Sequence, residues 1–261
     1  MVTKKQIAFK YNLIIGLLVA IFLISGSFVA YYFIQSGKAQ NDIKILRNQI
    51  ERPSEDDSSD TELTEQSDEK KLASYQKLYE QNNDMVGWIH IDDTSIDYPV
   101  MQTKTVKDYY LYKNFNEEYS VGGLPYVQEN CDVFTPTDNV IIHGHHRADG
   151  TMFATLTKYK DKSFFENHQI IEFDTIKQCH KYQIIAVFVV QVNTGNDVFP
   201  YYEFASASSS SEFNEYVSNC KYYSLYDTGY TASYGDKLLT LSTCDYSTDE
   251  GRFVVVAKRI D

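Results

Sequence analysis

A long apolar segment without charged residues stands near the start of the chain, at residues 12–34. A helix rises about 1.5 Å per residue, so a segment of this length crosses a hydrocarbon core of roughly 30 Å. Three lysines precede it closely and favour a cytoplasmic location for residues 1–11: Lys4, Lys5 and Lys10. We therefore expect an uncleaved membrane anchor. A cleaved signal peptide is the alternative, but the segment is too long for one and no clear cleavage site follows.

The pattern then becomes polar and acidic over residues 35–71. Residues 53–69 contain almost nothing apolar, and such a composition cannot bury enough surface to offset the entropy lost on ordering. We therefore expect an extended tether. A calcium site is an alternative, but the acidic run lacks the glycine and the ligand spacing of an EF-hand loop. Residues 41–51 can form a short helix with three apolar side chains on one side: Ile43, Leu46 and Ile50.

Residues 72–261 alternate between short apolar runs and turns, which predicts one folded domain. A first helix is indicated by the spacing of Leu72, Tyr75, Leu78 and Tyr79. Apolar runs predict strands at residues 86–91, 96–101, 140–142, 170–174, 182–192, 237–242 and 253–260, with a shorter run at residues 126–127. Short helices are expected at residues 152–159, 163–168 and 212–218. About eight strands with few helices predict a mostly β domain with flanking helices, closed into a barrel so that no strand edge is exposed.

Composition narrows the partners of this domain. The net charge is −12 and no basic patch stands out, which argues against nucleic acid as a partner. The chain contains 22 tyrosines and 15 phenylalanines, enough for a large aromatic core. Its four cysteines have wide, irregular spacings, so we expect unpaired thiols: Cys131, Cys179, Cys220 and Cys244. Two disulfides are the alternative, because a domain outside the membrane faces an oxidising environment.

Three chemically distinctive residue types stand at strand ends. Cys244 ends an apolar run and precedes a polar loop, and Arg252 opens the next run. Three histidines follow the apolar residues 140–142: His143, His145 and His146. A thiolate, a proton shuttle and a fixed cation are the groups that acyl transfer through a thioester requires. A surface salt bridge from Arg252 to a neighbouring acidic residue is the alternative for that side chain.

The sequence Thr240-Leu241-Ser242-Thr243-Cys244, followed eight residues later by Arg252 and a valine-rich last strand, resembles the signature of the sortases. These are cysteine transpeptidases that attach proteins to the Gram-positive cell wall. Gly144-His145 is similar to the histidine segment of the family. Residues 149–153 and 164–173 are similar to class B sortases in particular. The resemblance covers about residues 83–261 and implies the closed eight-stranded sortase-type barrel behind a membrane anchor.

The resemblance also implies roles for the three residues. Cys244 corresponds to the nucleophile, His145 to the acid and base, and Arg252 to the group that holds the oxyanion and the substrate. The family places the catalytic imidazole directly after glycine, which selects His145. In an alternating strand His143 shares a face with His145 while His146 points away, so His146 is expected to pack or to face solvent. His143 stands where related enzymes often have tyrosine.

The function implied is cleavage of a C-terminal sorting motif after threonine in secreted proteins. The thioacyl enzyme would then pass the protein to an amine of the peptidoglycan precursor, without a metal or an organic cofactor. Both Asn-Pro-x-Thr-Asn-like and Pro-x-Thr-Gly-like motifs remain open. The catalytic domain, residues 72–261, would be extracellular on a single-pass membrane protein. Five residues are expected to contact the substrate: Leu111, Thr194, Phe199, Ser242 and Thr243.

Other functions were weighed against this one. A metal hydrolase could use His143, His145 and His146 with Asp149, but further ligands are hard to find. A membrane-tethered surface domain without catalytic activity would give no reason for Cys244, histidine and arginine to converge. A pilin-polymerising sortase is a third alternative. It is disfavoured because the chain lacks an obvious lid segment carrying an Asp-Pro-Trp sequence or a similar plug.

Overall fold

The computed structural model describes residues 4–52, 61–192, 199–247 and 250–261, and of residues 4–10 and 61–65 it describes the backbone. The chain divides into two compact units, Met1–Asn41 and Asp42–Asp261. The first consists of a helix, α1, which spans Lys4–Arg47 and so ends inside the second unit. Between Tyr11 and Arg47 this helix is long and apolar enough to cross a membrane. A signal sequence near the N-terminus can also meet these minimum requirements of length and apolar composition.

The second unit is built around a closed β-barrel. Its strands are β1 Met85–His90, β2 Asp97–Met101, β3 Tyr126–Val127, β4 Asn139–His143, β5 Ile170–Thr175, β6 Lys181–Gln191, β7 Leu238–Asp245 and β8 Gly251–Arg259. The order around the barrel is β1-β2-β3-β4-β7-β8-β6-β5, and β5 closes the barrel on β1. The described residues thus form eight strands with no open edge, which confirms the predicted barrel.

Strand β7 has two neighbours that matter for chemistry. It pairs in parallel with β4, with His143 beside Ser242, and antiparallel with β8, with Cys244 beside Arg252. The parallel pairing continues beyond β4, because the Gly144 amide donates to the Ser242 carbonyl at 3.1 Å. The ends of the three strands therefore bring the predicted chemical groups to one end of the barrel.

Helices and short helical turns surround the barrel. The α-helices of the second unit are α2 Thr61–Gln81, α3 Lys162–Asn167 and α4 Ser210–Tyr223. Helix α4 begins after Ser209, whose hydroxyl accepts a hydrogen bond from the Glu212 amide, as a helix cap does. Tighter 3₁₀ turns are formed by Tyr109–Tyr112, Phe153–Lys160 and Tyr201–Glu203. All four cysteines are free thiols, as predicted.

The compact unit begins at Asp42, upstream of the boundary predicted near residue 72. Ile43, Leu46 and Ile50 are buried in the main hydrophobic core of this unit. Helix α2 begins at Thr61, so the chain is helical over residues 61–71, where an extended tether was predicted. Residues 53–60 of that tether lie outside the described residues. A helix with these three residues on one side was predicted over residues 41–51, whereas α1 ends at Arg47 and Ile50 follows it. Their burial in the core was not predicted, because three apolar residues on one side do not identify the surface that covers them.

Candidate active site

Cys244 lies near the end of β7, directly across from Arg252 on β8. Opposite residues of antiparallel strands project to the same face with Cβ atoms about 4.5–5.5 Å apart. Both side chains are half-exposed, so a reactant can reach them. The Arg252 guanidinium donates one hydrogen bond to the Gly251 carbonyl at 3.0 Å, which orients it along the strand end. The pair therefore offers a thiol and a fixed cation on one accessible face.

His145 follows β4 by two residues, as Cys244 follows Ser242 on the neighbouring β7. Its Nε2 atom lies 2.7 Å from the Leu111 carbonyl oxygen. Because a carbonyl oxygen only accepts hydrogen bonds, Nε2 carries the hydrogen and Nδ1 is the nitrogen that can take a proton. Burial lowers the pKa of His145, and the nearby charge of Arg147 lowers it further, although the bond to Leu111 raises it. Neutral imidazole, ready to act as a base, is therefore favoured.

The other two histidines have different surroundings. The His143 Nε2 atom is 3.0 Å from Oε1 of Gln128, and burial lowers the His143 pKa to about 4. His143 is therefore uncharged near neutral pH. His146 donates from Nδ1 to the carbonyl oxygen of Cys244 at 2.8 Å. Its predicted role was packing or solvent exposure, but its ring also holds the main chain of the candidate nucleophile. The parallel register of β4 and β7, invisible in the sequence, creates this contact.

Gly144 allows the histidine segment to approach the rest of the site. A Cβ atom at this position would lie 2.6 Å from the Phe153 ring, closer than real contacts permit. The Gly144 carbonyl accepts a hydrogen bond from the Thr243 hydroxyl at 2.7 Å. Gly144 is thus bonded to β7 through both its carbonyl and its amide, because the amide donates to the Ser242 carbonyl. Only glycine fits this position without displacing Phe153.

The residues predicted to contact substrate are placed in several ways. Ser242 and Thr243 are 1% and 2% exposed. The Ser242 hydroxyl binds the Tyr201 hydroxyl at 2.7 Å and the Thr243 hydroxyl donates to the Gly144 carbonyl at 2.7 Å. These side chains were predicted to line the substrate groove, but they are buried and hold β7 to its neighbours. Phe199 is buried and stacks on Tyr223 at 5.5 Å, which makes it part of a second core cluster. Thr194 lies outside the described residues.

Leu111 is half-buried and reaches the site through its backbone, because its carbonyl binds His145. Two exposed aromatic rings stand beside the histidines. The Tyr112 ring lies 5.2 Å from that of His145 and is 51% exposed, and the Tyr246 ring lies 5.0 Å from that of His146 and is 74% exposed. Sequence reasoning did not identify either tyrosine, because 22 tyrosines in the chain leave no signal for two of them.

An ion pair between a buried carboxylate and an exposed lysine anchors the residue that follows the nucleophile. Asp245 is buried, and its Oδ2 atom lies 2.6 Å from the Lys160 ammonium. Burial alone would raise the pKa of Asp245, but hydrogen bonds from Lys160 and Ser247 hold it below its ordinary value. The carboxylate therefore stays charged and fixes the end of β7. In the sequence Asp245 reads as the first residue of a polar loop, so this role was missed.

The histidines do not form a metal site with their neighbours. His143 and His145 bond to Gln128 and to the Leu111 carbonyl, and His146 bonds to the Cys244 carbonyl. Over the described ranges, the chain contains no group of three or more His, Cys, Asp or Glu side chains that could hold a metal ion. The arrangement of Cys244, His145 and Arg252 instead suits nucleophilic acyl transfer.

Comparison with known proteins agrees with this chemistry. A family model described as the sortase domain matches residues 89–260. Sortase B of Listeria monocytogenes is 37% identical over 193 residues, which cover 73% of this chain and 74% of the relative. Sortase B of Staphylococcus aureus is 31% identical over 246 residues, or 94% of each chain.

Solved structures give the same result. A Staphylococcus aureus sortase B–substrate complex aligns with a TM-score of 0.74 and 26% identity, over 87% of this chain and 99% of the other. Sortase B from B. anthracis in complex with AAEK1 aligns with a TM-score of 0.70 and 30% identity, over 88% of this chain and 99% of the other.

Proposed function

The chain belongs to the sortase family of cysteine transpeptidases, and from this premise we propose that it cleaves secreted proteins after the threonine of a C-terminal sorting motif. The observation that carries the proposal is the register of β7. Cys244 on this strand lies across from Arg252. The residues of β7 that precede Cys244 pair with β4, the strand that leads to His145. Peptidoglycan precursor amines are the proposed acceptors.

In the first half-reaction neutral His145 takes the proton of the Cys244 thiol at Nδ1, and the resulting thiolate attacks the threonyl carbonyl carbon. The carbonyl electrons move to oxygen, and the Arg252 guanidinium stabilises the oxyanion that forms. Arginine suits this role because it stays charged and offers several donors in a rigid plane. As the carbon–nitrogen bond breaks, imidazolium at His145 gives its Nδ1 proton to the departing amine. The products are a thioacyl enzyme and the released C-terminal peptide.

In the second half-reaction an amine opens the thioester. Neutral His145 removes a proton from the attacking amine through Nδ1, while Nε2 stays bound to the Leu111 carbonyl. The lowered pKa of His145 supports this half-reaction because it favours the neutral base. The carbon–sulfur bond then breaks and the Cys244 thiolate returns.

Two of the five predicted substrate contacts remain part of the proposal. We keep Leu111 and Thr194 as proposed contacts with the sorting motif. Ser242, Thr243 and Phe199 act instead through packing and hydrogen bonds that hold the strand ends, since their side chains are buried. The motif itself, Asn-Pro-x-Thr-Asn-like or Pro-x-Thr-Gly-like, is left to experiment.

The apolar part of α1 is proposed as a single membrane span. Its side chains from residue 11 to residue 34 are all exposed, which suits contact with lipid. The lysines before it favour a cytoplasmic N-terminus, and with that orientation the barrel would lie outside the cell. An extracellular barrel would meet secreted proteins and wall precursors on the side of the membrane where both are found.

The test uses the full-length chain in detergent micelles with two fluorogenic peptides, one for each motif. We expect one peptide to be cut after threonine, and we expect Cys244→Ala to lose all cleavage. Cys179→Ser is the matched control, since Cys179 is the other partly exposed cysteine. Activity retained by Cys244→Ala, or lost equally in both variants, would overturn the proposal.

A further inference from the structure

The last residue of α1 makes contacts that the catalytic proposal does not use. The Arg47 Nε atom donates to the backbone carbonyl of Asp97 at 2.7 Å and lies 3.2 Å from Oδ2 of the same residue. Its Nη2 atom donates to the Ser95 carbonyl at 3.1 Å. The guanidinium carbon also lies 5.0 Å from the centre of the Tyr98 ring. One guanidinium thus holds the turn before β2 and the start of that strand.

The residues held by Arg47 in turn hold the loop that follows the catalytic histidine. The buried Tyr98 hydroxyl accepts a hydrogen bond from the Met152 amide at 2.9 Å. The Ser95 hydroxyl lies 3.2 Å from the Gly150 carbonyl and 2.6 Å from the Thr155 hydroxyl. Ser95 and Tyr98 therefore contact residues 150–155 on one side and Arg47 on the other.

The loop needs such support because its backbone is strained at Met152. This residue has φ +56° and ψ −130°, a backbone conformation that residues other than glycine rarely adopt. Strain of this kind persists only where the surroundings hold it in place. The Tyr98 hydroxyl binds the amide of this same residue. Loss of that support would let the loop relax toward an ordinary backbone conformation.

The strained residue is joined directly to the histidine segment. The Phe153 amide donates to the His145 carbonyl at 2.9 Å, and Met152 forms a β-bridge with His146. The Phe153 ring also fills the space that a side chain at Gly144 would need. A movement of Met152 and Phe153 would therefore move His145 relative to β7.

We propose that Arg47 is a positioning residue for His145, acting through Ser95, Tyr98 and the 150–153 loop. Arg47 touches neither the candidate nucleophile nor the imidazole in this chain of contacts. It fixes the turn before β2, the turn fixes the loop, and the loop fixes the imidazole. The segment that follows the apolar part of α1 is then part of the catalytic apparatus and not a passive linker.

Arg52 provides a matched control. Its Nη2 atom binds Oδ1 of Asp97, the carboxylate whose other oxygen faces Arg47. Removal of either arginine takes one cation from Asp97, but only Arg47 also binds the Ser95 carbonyl and covers Tyr98. A difference between Arg47→Met and Arg52→Met therefore reports the contacts toward the loop and not the ion pair.

The readout does not depend on the sorting substrate. Iodoacetamide alkylation of Cys244 is measured in the full-length chain in detergent at pH 7 and pH 10, and the adduct is located by peptide mass spectrometry. Alkylation requires thiolate, and at pH 7 the amount of thiolate depends on a well-placed imidazole that can hold the proton. At pH 10 a thiol is largely ionised without such help. A positioning effect therefore appears at pH 7 and disappears at pH 10.

We expect Arg47→Met to slow alkylation at pH 7 by about fivefold or more and to leave the pH 10 rate unchanged. Arg52→Met should stay within about twofold of wild type at both values. Arg47→Lys should recover part of the loss, because it keeps the charge beside Asp97 and Tyr98 but lacks the planar fork. Tyr98→Phe should reproduce the loss, and Arg47→Met should add nothing to it, because both act on one chain of contacts.

Peptide turnover supplies a second readout, and this arm alone rests on the proposed function. Arg47→Met should lower kcat by about tenfold with KM unchanged, as expected when a reacting group is misplaced. If Arg47→Met does not fold, Ser95→Ala tests the same chain without removing a charge. Equal effects of Arg47→Met and Arg52→Met, effects that persist at pH 10, or additivity with Tyr98→Phe would overturn the proposal. Failure of peptide cleavage with the alkylation pattern intact would overturn only the proposed function.

Discussion

Cys244 and Arg252 are cross-strand partners at the end of the β7–β8 ladder, so one backbone pairing sets the position of both side chains. The two residues are eight positions apart in the sequence. The ladder continues inward through Thr243 beside Phe253 and Ser242 beside Val254, residues that are all buried. A thiol and a cation at the edge of such a core are held in place by the barrel itself.

This pairing predicts that Arg252 cannot be replaced by lysine. An ammonium group keeps the charge but lacks the planar set of donors that can face an oxyanion. We expect Arg252→Lys to lower kcat/KM for the cleaved peptide by about 100-fold, the scale of losing an oxyanion donor. Arg259→Lys, at the other end of β8, serves as the control and should retain activity. Wild-type rates in Arg252→Lys would show that the guanidinium has only a structural role.

The pKa of His143 predicts a loss of stability in acid. It is about 4 in the folded protein because of burial, against about 6.5 for an unperturbed histidine. Between these two values the unfolded chain binds a proton that the folded chain does not. Stability contributed by neutral His143 is therefore complete above about pH 6.5 and lost as the pH falls toward 4.

His143→Gln removes this titration while keeping a donor for Gln128. Between pH 7 and pH 4.5 the wild type should lose more unfolding free energy than the variant, by on the order of 2 kcal/mol. The comparison is made by chemical denaturation at each pH. Because other groups titrate equally in both proteins, the difference between the two curves isolates His143. Parallel curves would contradict the assignment of His143 as a half-buried neutral residue.

The close approach of Gly144 to Phe153 predicts that even a methyl group is harmful there. Gly144→Ala would force the ring or the histidine segment to move, at a cost of about 1–3 kcal/mol in unfolding free energy. Activity should fall further than stability, since the displaced backbone carries His145. Combining Gly144→Ala with Phe153→Leu makes room and should restore part of the activity. If the single variant is as active as wild type, the position does not control His145.

Much of the site was predictable from local sequence. Cys244 and Arg252 flank a short polar turn between two apolar strands and Gly144-His145 follows a third, so strand ends indicated the candidate groups, and the resemblance to the sortases selected His145 among the three histidines. The burial of Ser242 and Thr243 was not predictable, because it depends on Tyr201 and Gly144 from other parts of the barrel. The same holds for His146 at the Cys244 carbonyl and for Lys160 at Asp245, which are contacts between residues distant in sequence.

The segment upstream of the barrel, residues 42–71, is where the structure differs most from the fold predicted from the sequence. Ile43 and Leu46 lie on α1 in the structure and Ile50 follows its end, close to the short helix predicted over residues 41–51, but the sequence does not reveal the surface that covers them. The residues that follow them, 53–69, are acidic and almost without apolar side chains, which favoured a solvated tether. Arg47 shows why that composition was misleading, because its charge is bound within the fold at Asp97 and the Ser95 carbonyl.

Truncations test this boundary. A protein that starts at Asp42 should unfold at nearly the temperature of the full-length chain in detergent. A protein that starts at Leu72 loses three buried apolar side chains, each worth about 1.5–3 kcal/mol, together with Arg47 and Arg52. We therefore expect the shorter protein to be destabilised by roughly 5 kcal/mol and to have little activity. Equal melting temperatures and equal turnover would show that residues 42–71 are dispensable.

The most direct measurement of the central claim is the mass of the enzyme during turnover. The full-length chain in detergent is mixed with the intact sorting peptide that it cleaves. The mixture is quenched in acid within seconds, and the enzyme is analysed intact and after digestion. The account predicts a mass increase equal to the peptide up to its threonine, attached to Cys244 and released by hydroxylamine or by an added amine. Cleavage without an adduct on Cys244, or cleavage that persists in Cys244→Ala, would contradict acyl transfer through this cysteine.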